Sequence, residues 1–100
     1  IVGSGLSYHN LPGLFAPDPR AAAAAEAFDT WLTGAAEADP DRRAALLADW
    51  ARAPGARASH PREEHLLPMM VAAGAAGTDS GRRVYADRIA GKPVSAYAFG

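Results

Sequence analysis

The 100 residues contain no cysteine, which excludes a disulfide framework, a thiolate zinc site and a cysteine nucleophile. Charge of one sign is also lacking. Ten Lys and Arg stand against eleven Asp and Glu, a formal net charge of −1, so neither a basic nucleic-acid footprint nor a polybasic membrane anchor is expected. No apolar run approaches the roughly 20 residues of a membrane span; the Ala21–Ala25 tract is far too short. Nothing resembles a charged start followed by the apolar stretch of a secretory leader, and a cytoplasmic location is expected. Large apolar side chains are scarce as well. Alanine supplies 25 residues and buries little area each, leaving three Phe, two Trp, three Tyr and a modest set of aliphatics to build a core. That is thin for a self-standing domain.

What is present reads as an α/β pattern. Ile1-Val2-Gly3-Ser4-Gly5 has the form of a buried strand running into a glycine turn. A strand at residue 1 needs sheet partners, and a two-stranded sheet is marginal in water. The expectation is therefore the C-terminal part of a sheet flanked by helices, within a single catalytic α/β domain whose other strands lie upstream. Asp18-Pro19 opens a helix to about Glu37, with Phe28, Trp31, Leu32 and Ala35 on one face. Asp39-Pro40 opens a second, carrying Leu46, Leu47, Trp50 and Ala51 and closing at Pro54-Gly55. With so short a link the two form a helical hairpin insertion over about 19–53, burying both tryptophans. Residues 55–60 read as loop. A third helix starts near Pro61 with Glu63 and Glu64 in its first turn. Pro68 then falls inside it, so this helix must bend or start late. Arg82–Ile89 and Val94–Phe99 read as two strands around Gly91-Lys92-Pro93, although residues 84–89 do not alternate cleanly.

The three histidines are the candidates for acid–base or metal chemistry near neutral pH. His9 follows the strand and its Gly3-Ser4-Gly5 turn, and in α/β sheets ligands bind beyond the carboxyl ends of strands. Asn10 stands beside it to hydrogen-bond or orient; the bland alternative is a surface loop. His65 sits where the charged run His60-Pro61-Arg62-Glu63-Glu64 turns apolar at Leu66-Leu67-Pro68, and reads either as functional or as an amphipathic residue at a kink. His60 and His65 are five apart, about 140° round a helix, so they do not form the i, i+4 pair of a zincin. Gly3-Ser4-Gly5 lacks the spacing of a hydrolase nucleophile elbow.

Read together, Gly3-Ser4-Gly5-x-x-x-His9-Asn10-Leu11 and His60-Pro61-Arg62-Glu63-Glu64-His65-Leu66-Leu67-Pro68 resemble the C-terminal portion of class III extradiol ring-cleavage dioxygenases, DOPA 4,5-dioxygenase type. Val94-Ser95-Ala96-Tyr97-Ala98-Phe99 is similar to the final strand of that type. The resemblance implies an α/β enzyme well over twice this length. Its cofactor is a non-heme Fe(II), with zinc able to occupy the same site, and its partners are a small aromatic diol and O2. It implies that His65 is a metal ligand, that His9 is the catalytic acid–base residue or an added ligand, and that Asn10, His60 and Glu64 lie beside the ligands or face the substrate. Distant relatives use a carboxylate as third ligand, which leaves His65 and Glu64 in competition. Two further histidines would come from upstream, so these residues alone should be inactive, and an oligomer is compatible with the pattern. The competing readings are a non-catalytic binding or scaffold member of the same superfamily, and a metal hydrolase on another α/β fold.

Overall fold

A computed structural model describes residues 2–3, 19–60, 66–89 and 92–100. In chain order these form strand β1 (Val2–Gly3), helix α1 (Pro19–Glu37), helix α2 (Pro40–Ala48), a 3-10 turn (Trp50–Arg52), helix α3 (Ala56–Ser59), helix α4 (Leu67–Ala76) and strands β2 (Gly81–Ile89) and β3 (Lys92–Phe99). The sheet has the order β1-β3-β2 with both neighbouring pairs antiparallel. The architecture is α/β, helices flanking a sheet.

α1 is the hub, and its sequence says why. Ala25, Phe28, Asp29, Leu32, Ala35 and Ala36 are buried at helical spacing, a stripe that faces the other elements. It packs on β2, β3, α2 and α3. α2 begins as its cap predicts: the Asp39 carboxylate accepts from the Arg42 N–H at 3.1 Å, and Pro40 fills the first helical position. It ends at Ala48, earlier than the pattern suggests. The chain then tightens into the 3-10 turn, with Arg52 N donating to Asp49 O and Ala53 N to Trp50 O, so the apolar stripe continues through Trp50 after the α-helix has stopped.

Residues expected as loop contain α3, a single turn too short to show periodicity. Close packing sustains it. Gly55, at φ +69°, lies against α1, and a Cβ there would sit 2.1 Å from the Ala24 carbonyl oxygen. The alanine tract is thus a flat surface onto which the 54–56 turn settles. α4 starts late, at Leu67, which places Pro68 in the first turn where its missing N–H removes no helix bond. Phe28, Leu32, Leu47, Leu66, Met69, Tyr97 and Phe99 are members of one core cluster, with Trp31 and Trp50 packed against it.

The hairpin is regular except at Val84, where the register shifts between Arg83 and Tyr85. The extra residue explains the broken alternation of the sequence. β3 begins at Lys92, two residues before the predicted strand. Pro93 pairs with Arg88 at a level β1 does not reach, where β3 has a single described neighbour and a residue without an N–H is tolerated.

Gly55→Ala should destabilise the protein by roughly 2–4 kcal/mol, from left-handed strain and overlap with α1. Gly34→Ala, where an added Cβ meets no atom within 4 Å in mid-helix, should stabilise it by roughly 0.5–1 kcal/mol. Urea unfolding of both variants checks the contrast.

Candidate functional site

Of the candidate site residues, His9, Asn10, Glu64 and His65 lie outside the described residues. His60 is described. It caps the C-terminal end of α3, donating its backbone N–H to Ala56 O at 2.8 Å, and its side chain is fully buried. The ring stands edge-on to Phe28 at 5.5 Å and to Trp50 at 6.3 Å between centroids. Arg57 lies over the outer ring of this group, its guanidinium carbon 4.6 Å from the Trp50 centroid. Ser59, also fully buried, directs an Oγ into the interior that has no hydrogen-bond partner among the described residues. The geometry follows from the Gly55–Ala24 approach: seating α3 on α1 brings the residue after α3 against Phe28. His60 therefore sits in an aromatic box. Among the described residues no three His, Asp or Glu side chains group to hold a metal ion, and no helix is long and apolar enough to cross a membrane.

The structure also reveals polar groups that sequence reasoning missed. Asp29, on the buried stripe of α1, accepts from Ser95 Oγ at 2.7 Å and from Arg83 Nη1 at 3.4 Å. One turn on, Thr33 Oγ1 meets the Tyr97 hydroxyl at 2.9 Å. Burial pushes the Tyr97 phenol up to about 12, with the nearby Asp29 charge acting in the same direction, so it stays protonated at neutral pH. These bonds join helix to sheet. A second buried polar residue, Arg43 on α2, donates to the carbonyls of Asp79 at 2.8 Å and Gly77 at 3.0 Å, with Phe99 4.8 Å from its guanidinium carbon. It thereby satisfies backbone acceptors at and just beyond the end of α4. The only sequence signal for Asp29 was an acidic residue on an otherwise apolar face. Arg43 gave none, because its partners lie more than 30 residues away.

No protein-family model matches the chain, and no curated protein matches it. Among solved structures it is similar to the crystal structure of an uncharacterized protein from Escherichia coli K12, with a TM-score of 0.71 at 20% sequence identity. The match covers 95% of this chain and 41% of that protein, so the chain spans about two fifths of the length of the structure it resembles. At this identity the likeness shows the fold.

Asp29→Ala removes the acceptor shared by Ser95 Oγ and Arg83 Nη1 and should cost about 2 kcal/mol in a urea titration, with Asp29→Asn losing less because an acceptor remains. Tyr97 gives a pH signature. Its folded pKa is raised above the ordinary 10, so the neutral phenol is favoured in the fold; the contribution is whole below pH 10 and is lost as pH rises toward about 12. The loss is about 2–3 kcal/mol, and Tyr97→Phe should remove it, as unfolding measured across that alkaline range will show.

Proposed function

We propose that this chain is the C-terminal part of a cytoplasmic, non-heme metal-dependent extradiol dioxygenase that opens the ring of a catechol-type substrate with O2. The observation that carries the reading is the pair of histidine elements, Gly3-Ser4-Gly5-x-x-x-His9-Asn10 and Pro61-x-x-Glu64-His65-x-x-Pro68. The framework supports it. β1 leads into the first element, α4 starts two residues after His65, and α4 packs against β1. The likeness to a much longer α/β protein agrees with a chain that supplies only part of a site.

The donor set suits the implied metal. Imidazole and carboxylate, from His9, His65 and Glu64, are ligands of Fe(II) and of zinc, whereas His60 is buried between Phe28 and Trp50. A bound Fe(II) would supply Lewis acidity toward the catechol hydroxyls and open positions for substrate and O2. His65 would hold the metal, with Glu64 orienting it or competing for that place. His9 would take the second catechol proton and give it back on ring opening, the acid–base role open to an imidazole. Asn10 would hydrogen-bond or orient His9.

In the natural full-length protein loaded with Fe(II), catechols should drive oxygen uptake with formation of a ring-opened product. His9→Ala should lower turnover by about 10²–10⁴-fold with most metal retained, and His65→Ala should lose the metal. Oxygen electrode traces and metal analysis decide both; absent uptake with every catechol tried overturns the proposal.

A further inference from the structure

Helix α4 has no polar side. All ten residues of Leu67–Ala76 are apolar, proline or glycine. A helix that is hydrophobic all round belongs in a protein interior. The described elements cover only part of it: Met69, Ala72, Ala73 and Ala76 are buried, while Leu67 is 43% exposed, Val71 is 70% exposed and Ala75 is exposed. Leu67, Val71 and Ala75 recur at i, i+4 and i+8, a stripe about 12 Å long on one side of the helix. Next to the stripe lies a groove of about 550 Å³ between α2 and α4, whose walls include Ala44, Leu47, Met70, Ala73 and Gly74. Gly74 is one turn on from Val71, so the stripe and the apolar wall of the groove form one face, with Asp41, Arg43 and Thr78 also lining the groove.

We infer that this face is the seat of the upstream part of a longer chain, which packs an apolar helix or strand face against α4. Three observations select that occupant over a second copy of the protein. The solved structure that shares this fold extends well beyond it, with only 41% of its length matched. α4 lies on β1, the two-residue strand at one edge of the sheet, whereas the opposite edge, β2, carries Arg82, Arg83, Asp87 and Arg88, all exposed, which discourage further strand pairing. The exposed stripe is three side chains on a short helix, and the groove beside it has Asp41, Arg43 and Thr78 in its walls, whereas a stable homodimer buries about 800 Å² on each partner. The α4 terminus adjoins His65, so the docking that covers Leu67 and Val71 also brings the upstream part to the proposed metal ligand. The inference rests on the functional reading only in taking these residues as the C-terminal part of a larger protein.

The test uses the natural full-length protein. Val71→Cys and, as an exposed reference, Arg52→Cys are reacted with a maleimide, and mass spectrometry reads the label at each engineered position alone. Arg52 has a side chain 83% exposed. The expected result is labelling at Val71→Cys at least tenfold slower than at Arg52→Cys, independent of protein concentration and abolished in urea. Ala75→Cys, a smaller change on the same stripe, repeats the measurement should the first variant fold poorly. Equal rates at the two positions overturn the inference. Protection that fades on dilution also overturns it and assigns the face to a second copy. Failure of the enzymatic reading is read separately: a protected stripe in a protein that consumes no oxygen with catechols keeps the interface and removes the dioxygenase, and the reverse outcome does the opposite.

Discussion

The hydrogen bond from Ser95 to the buried Asp29 carboxylate fixes how the hairpin sits on α1, and much of the remaining structure depends on it. A carboxylate turned away from water is costly unless its oxygens accept hydrogen bonds. Asp29 meets that demand with Ser95 on β3 and Arg83 on β2. Sliding β3 along α1 would break both, and the Thr33–Tyr97 contact one turn on as well. With few large apolar side chains to specify the packing, these directional bonds set the register that hydrophobic burial alone would leave loose.

Small side chains shape the other half of the molecule. The alanines of α1 let a glycine turn approach backbone to backbone, which seats α3 and carries His60 into the aromatic group of Phe28 and Trp50. Arg43 has the corresponding role for α4: buried donors from α2 meet carbonyls around the helix end, so α2 and α4 are held together by hydrogen bonds at one end while the groove between them stays open. His60 in its box and Leu66 in the core are both buried.

The parts of this fold written in local chemistry were legible in the sequence. Pro19 to Glu37 follows from a proline start and a helical stripe, and the Asp39-Pro40 start from a cap that the structure shows bonded. What escaped was decided by partners distant in sequence. α3 exists because Gly55 meets Ala24, and nothing within residues 55–60 reveals that contact. Arg43 and Asp29 likewise find their partners more than 30 and more than 50 residues along the chain. For the site, a sequence can name His60 but not its surroundings: an imidazole followed by proline gives no sign that two aromatic rings close over it.

The extra residue at Val84 has a consequence for β2. In a regular strand, positions 83 and 88 point to opposite faces, because their separation is odd. With one residue bulged out, both arginines turn toward α1, Arg83 to Asp29 and Arg88 to Glu26. The hairpin thus obeys a rule of parity: shortening this strand by a single residue would swing Arg88 to the far side, whereas losing a pair would leave its direction intact.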